Sequence, residues 1–340
     1  MPYRGRVNIT PIHHRLKSTR ASHLQAQEPT PKEAVPSPHD HFVCDHSHQE
    51  PQPQWGLKGH GLVQEVAAET LPEEVPEFFR GATERLVGLA SQPDRWKSGG
   101  TPYLREATAM DHFMAYEQIQ GHELPADRYE YVLMVEREGI NAPGQHPKWV
   151  GTLPYRVAEL YQNLTLDFAI WRNEGRNLPV DHPQRKALEE NVLMSAGLLG
   201  HYVGDAAQPL HSTVHHDGWN SRVPNPHGYR TRRGLHREFE TAMVGRAASE
   251  EEVKERVAPA REWEGDPLQW GLGLIAESNS QVETLYQLEK DGDISGFWPS
   301  HKGIDFMHDR MAVGAQNLRD LWYTAWKESK ALARKLDRPR

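Results

Sequence analysis

The chain has 340 residues, a quarter of them charged, with one cysteine and a formal net charge of −8. The lone Cys44 excludes an internal disulfide and any cysteine-rich zinc module. No segment approaches the roughly 18 consecutive apolar residues of a membrane span, and the acidic balance lacks the basic footprint of a duplex nucleic-acid binder.

Residues 1–54 are rich in Pro, Gln and His and carry no hydrophobic periodicity, so they read as a disordered or leader segment preceding a domain over 55–340. The stretch up to Gln27 is basic and free of acids, faintly like a transit peptide, and no apolar h-region marks a secretory signal. His39, Asp40, His41, Asp45, His46 and His48 form a His-rich tract that could bind a metal loosely; a solvated linker is the preferred reading.

From Trp55 onward the pattern is helical, and the spacing predicts an all-α protein. Pro72 and Pro76 punctuate a first pair of helices, with Phe78, Phe79, Leu86 and Leu89 on the second. Thr152-Leu153-Pro154 starts a helix carrying Val157, Leu160, Tyr161, Leu164, Phe168 and Trp171 at spacings of three and four. Asp181-His182-Pro183 starts another, with Leu188, Val192, Ala196, Leu199 and Val203 on one face. A last long helix carries Met311, Leu318, Leu321, Trp322 and Ala325. The segment from Ser212 to Gly234 is a long loop, of the kind that often serves function.

Twenty histidines raise the prior for metal, since histidine is the commonest metal ligand. The sharpest pattern is His201-Tyr-Val-Gly-Asp205-Ala-Ala-Gln-Pro-Leu-His211. His201 and Asp205 stand four apart on one helix face. Pro209 breaks the helix, which lets His211 turn back toward the same site. His236 and Glu240 repeat the spacing of four. Trp55-Gly-Leu-Lys-Gly-His60, Asp94-Arg-Trp-Lys97 and Asp111-His112-Phe113 complete the set. A carboxylate has two oxygens and can bridge two ions, whereas an imidazole cannot.

Taken in order, these motifs resemble the superfamily of zinc-dependent phospholipases C and single-strand-specific nucleases. That resemblance implies an all-helical fold with a cleft for three zinc ions. It implies Asp94, His112, His201 and Asp205 at one zinc, and His211, His236 and Glu240 at a second. Trp55, His60 and the shared Asp205 belong to a third. Asp111 competes with Asp94 for its place, although a solvent-facing or capping carboxylate is the favoured reading of Asp111. In the family the tryptophan is the first residue of the mature enzyme and its free amine binds zinc. Here it follows residues 1–54, so the resemblance implies cleavage at Gln54–Trp55 and export to a secreted or periplasmic location, or a third zinc bound weakly or not at all. No export signal is visible.

Two or three zinc ions supply what phosphoester hydrolysis needs without a protein nucleophile, and no GxSxG or phosphate-binding glycine loop is present. Asp94 is the candidate to orient the attacking water. Phe113 is a candidate for stacking on a nucleobase and Lys97 for contacting phosphate. Arg95, Arg230, Arg232 and Arg233 read by default as solvated charges, Tyr116 as core, and His215, His216 and Trp219 as candidates for the rim. His122, His146, His182, His227, His301 and His308 read as structural or surface residues.

The expected substrate is single-stranded nucleic acid or nucleotides, as the Trp55–His60 spacing and the long gap from His211 to His236 resemble the nuclease branch. Phospholipid is the alternative, favoured by Glu240 and by the lack of disulfides. A non-catalytic zinc-binding helical protein is a third reading. No obligate protein partner is evident.

Overall fold

A computed structural model describes residues 57–141, 146–295 and 297–337. Trp55, the leader segment and its His-rich tract lie outside the described residues. The all-α expectation holds. Among the described residues the extended pairings are two isolated bridges, Met114 with Gly151 and His216 with Gly218. Among the described residues no helix is long and apolar enough to cross a membrane.

The architecture is organised around the central helix Pro183–Ala207. Its start follows from local chemistry: His182 Nδ1 accepts from the Gln184 N–H at 3.2 Å, and Pro183 at the first turn loses nothing by lacking an N–H. Its end is set by Pro209, which drives the preceding Gln208 to extended backbone (φ −96°, ψ 121°). Lys58–Glu69, Thr83–Leu89, Leu153–Ile170 and the long carboxy-terminal helix His301–Leu336 all pack against this helix. Val192, Ala196, Leu199 and Val203 are buried along it, as the apolar period requires.

The core is aromatic where these helices meet. Phe79 lies 5.3 Å from Trp322 and 5.4 Å from Phe168, ring centre to ring centre. The Trp322 Nε1–H reaches the Ala196 carbonyl at 3.2 Å, so the one polar atom of that buried ring is satisfied. Arg310, also buried, donates to the Ala207 carbonyl at 3.0 Å and to both oxygens of Glu277 at 2.6 Å. That contact satisfies a carbonyl at the end of the central helix and ties it to the helix Pro267–Ser280.

The Ser212–Gly234 segment remains irregular. It is anchored by the stack of His215 on Trp219 at 3.7 Å, with Tyr229 and Tyr286 around Trp219 at 5.0 and 5.3 Å.

Phe79 sits at 0% exposure amid these rings whereas Leu133 is 53% exposed. In chemical denaturation Phe79→Ala is therefore expected to lower stability by about 3–5 kcal/mol. Leu133→Ala should stay within about 0.5 kcal/mol of the parent. Equal effects would contradict the placement of the core.

Candidate metal centre

Four helical segments and two turns bring the candidate ligands together. His201 and Asp205 project from the last two turns of the central helix, and His211 follows in the turn Pro209–His211. His60 lies in the first turn of Lys58–Glu69, Asp94 in the short helix Gln92–Arg95 and His112 at the end of the turn Ala109–His112. His236 sits in Leu235–Arg237 and Glu240 in the π-helical turn Glu238–Met243 that follows directly. Single π turns inside helices are uncommon and often occur at functional sites.

These side chains form three groups, each with ligand atoms mutually within 4.8 Å: His60, His201 and Asp205; Asp94, His112 and His201; His211, His236 and Glu240. Asp205 joins them. Its Oδ2 faces His112 Nδ1 at 2.9 Å and His201 Nε2 at 3.2 Å. Its Oδ1 faces His60 Nε2 at 3.3 Å and His211 Nδ1 at 3.4 Å. Asp94 Oδ1 stands 3.8 Å from His201 Nε2 and 4.0 Å from His112 Nδ1. Donors held at about 2.0–2.2 Å around a tetrahedral ion stand about 3.4 Å apart, so the distances of His60 Nε2 and His201 Nε2 from the Asp205 oxygens, 3.3 and 3.2 Å, fit shared cations.

The donor chemistry fits as well. His201, His211 and His236 each turn Nδ1 to a backbone carbonyl: Ala90 at 2.7 Å, His112 at 2.5 Å and His216 at 3.0 Å. A carbonyl can only accept, so Nδ1 carries the proton and a neutral ring offers a bare Nε2 lone pair. For His211 and His236 that lone pair faces Glu240 oxygens at 2.9 and 2.8 Å. Two lone pairs at that distance repel unless a cation lies between them or the ring takes a second proton. Burial opposes the charged form of His211, but Asp205 and Glu240 outweigh it and push its pKa up to about 9. Burial, reinforced by the Lys97 charge, pushes His112 down to about 3.

The carboxylates are held ionised. Burial opposes this at Asp94, but the Lys97 ammonium and the imidazoles of His201 and His112 hold its carboxyl well below the usual range. At Glu240 burial is likewise outweighed, by His236 and His211. Lys97 Nζ lies 2.5 Å from Asp94 Oδ1. His60, His112, His201 and Asp205 are all but sealed from solvent, whereas the side chains of Asp94, Lys97 and His236 are 18, 30 and 29% exposed. The cluster thus opens on the side of Asp94, Lys97 and His236.

Other candidates fall elsewhere. Asp111 is neither solvent-facing nor a cap, because it is buried and bound by Thr152 Oγ1 at 2.8 Å and Arg128 at 3.1 Å, with Arg156 at 3.7 Å. Its oxygens are engaged by these partners, which leaves Asp94 in the cluster. Arg230 is paired with Glu238 and Glu289 at 2.8 and 3.2 Å rather than solvated. His215 and Trp219 are packed together in the loop's aromatic anchor. Tyr116 packs against the core, and buried His308 accepts from the Ser249 N–H at 3.1 Å.

Sequence reasoning missed Trp149. Its ring lies parallel to that of Phe113, at 9° and 6.4 Å between centres, and both are half-buried. The Met114–Gly151 bridge creates this pairing. Gly151 has φ 95°, and a Cβ there would stand 2.1 Å from the Phe113 carbonyl oxygen, so only glycine is accommodated.

No family model matches the chain. Over 171 residues it is 27% identical to a probable serine protease of Bradyrhizobium tropiciagri, a match covering 41% of this chain and 21% of that protein. The chain thus spans about a fifth of that relative's length.

Gly204 gives the motif a physical meaning. A Cβ there would lie 2.6 Å from His60 Nδ1, and moving the His60 ring away would break its stack on His201 at 4.0 Å. Helix propensity alone favours Gly→Ala by about 1 kcal/mol, while overpacking costs about 1–3 kcal/mol. Gly204→Ala is expected to retain helical circular dichroism yet lose metal from the His60 group, read as bound metal per chain. An unchanged metal content would contradict the close approach as a requirement of the site.

Proposed function

We propose that the chain is a zinc-dependent phosphoesterase whose substrate is single-stranded nucleic acid or nucleotides. The observation that carries this reading is Asp205, whose two oxygens face separate pairs of imidazoles within 3.4 Å. Asp94 with His112 and His201, His60 with Asp205, and His211 with His236 and Glu240 would hold the ions. Bound there, zinc would act as a Lewis acid on phosphate oxygens and make hydroxide accessible near neutral pH.

The chain's own residues would do the rest. Asp94, kept ionised by Lys97 and the neighbouring imidazoles, is an acceptor at the open side of the cluster, suited to orienting a water. Lys97 places a positive charge beside it, where a phosphate would enter. Phe113 follows ligand His112 directly, and its ring lies parallel to that of Trp149 with centres 6.4 Å apart, a pair of half-buried aromatic rings suited to stacking on a nucleobase. That arrangement favours a base-bearing substrate over a phospholipid head group.

The name of the Bradyrhizobium relative suggests a hydrolase, and a serine protease is the competing reading. An activated serine needs a base within hydrogen-bond reach. The serine hydroxyls that donate here turn to carboxylate or backbone oxygens: Ser195 to Asp167, Ser212 to Pro209, Ser278 to Ala206, Ser280 to Glu277 and Ser329 to Trp326.

Purified protein should be assayed side by side on single-stranded oligonucleotides, 3′-nucleotides, phosphatidylcholine and casein. The expected result is hydrolysis of the nucleic-acid substrates, abolished by a chelator and restored by zinc. Phe113→Ala and Trp149→Ala should each weaken oligonucleotide binding by about 1–3 kcal/mol, the worth of one base stack, seen in KM. Cleavage of phosphatidylcholine alone would shift the assignment to a phospholipase, and chelator-resistant casein cleavage would overturn it.

A further inference from the structure

Gln208 is buried at 1% exposure inside the motif and is not one of the metal-ligand candidates. Its side-chain oxygen accepts from the Leu210 N–H, capping the turn that carries His211. Its amide nitrogen donates to Glu240 Oε1. The two contacts fix the amide orientation without ambiguity: an N–H requires the oxygen, and an ionised carboxylate requires the nitrogen. Gln208 also links Asp205 and His211 through the backbone, donating to the Asp205 carbonyl at 3.1 Å and accepting from the His211 N–H at 3.0 Å.

We propose that Gln208 is the positioning residue of the His211–His236–Glu240 group, holding Glu240 and the His211 turn in one arrangement ready for an ion. This rests on the reading that the group binds zinc. The physical reason is that Gln208 is a neutral donor to the Glu240 carboxylate, present whether or not an ion occupies the gap to His211 and His236. With Gln208 on Oε1, the carboxylate plane is fixed and Oε2 stays directed toward His236 Nε2 at 2.8 Å. Partners behind a metal ligand commonly govern affinity by about 10–100-fold.

The test is a zinc titration of the metal-stripped full-length protein against a chromophoric chelator, comparing the parent with three variants. Gln208→Leu removes both hydrogen bonds. Gln208→Glu is isosteric, keeps an acceptor for Leu210 and loses the donor to Glu240, so it remains informative if the leucine variant does not fold. Ser278→Ala removes two buried hydrogen bonds, to the Ala206 carbonyl (2.7 Å) and from Arg310 (3.1 Å), that touch the end of the central helix but no ligand side chain, and reports general loosening. Both Gln208 variants are expected to weaken one zinc by about 10–100-fold and leave the remaining zinc as tight as in the parent, with Ser278→Ala binding all zinc normally. Parent-like titrations of the Gln208 variants, or equal weakening in Ser278→Ala, would overturn the positioning role while leaving the zinc reading intact. A parent protein that takes up no zinc would overturn both.

Discussion

The carboxylate of Asp205 is buried among four imidazoles, and the rest of the site is arranged to make that tolerable. Removing a carboxylate from water without compensation is costly. Here burial is outweighed by His211 and His201, and the carboxyl is held well below its usual range. Yet two of these histidines, His201 and His211, and the neighbouring His236 spend their Nδ1 protons on backbone carbonyls. Their Nε2 lone pairs therefore face other acceptors, and positive charge must come either from extra protons or from metal. Metal would resolve this more completely, because one ion can satisfy several acceptors at once.

The fold serves this arrangement by fixing one helix from all sides. The central helix delivers His201 and Asp205 on one face, the aromatic core around Phe79 and Trp322 holds its middle, and Arg310 holds its end. Lys58–Glu69 can bring His60 against it only because residue 204 lacks a side chain. The short segments around Asp94 and His112 then close the group from the other side. Rigid helices supply the deep ligands, and shorter, more exposed pieces supply Asp94, Lys97 and His236 at the entrance.

How much of this is legible in the sequence depends on the distance over which each residue acts. The helix of His201 and Asp205, its start at Pro183 and its stop before Pro209 follow from local rules, and so does the spacing of His236 and Glu240. The π turn under Glu240 does not, since spacing alone cannot distinguish it from an α turn. The choice of Asp94 over Asp111 comes from the resemblance alone, and its physical reason is hidden, because it depends on Arg128 and Thr152 arriving from elsewhere in the chain. Trp149 was missed because its partnership with Phe113 rests on one isolated backbone bridge without periodicity. Gln208 reads locally as a loop residue; its significance appears only when Glu240 folds against it.

The central claim is that Asp205 joins separate cation sites. The most direct measurement is the metal content of purified protein and of Asp205→Asn, by elemental analysis alongside circular dichroism. An asparagine keeps the size but offers one neutral oxygen and a nitrogen donor, which cannot bridge two cations. The account predicts more than one zinc per parent chain, and loss of zinc from Asp205→Asn with the helical spectrum intact. A folded Asp205→Asn protein with the full metal complement would contradict it.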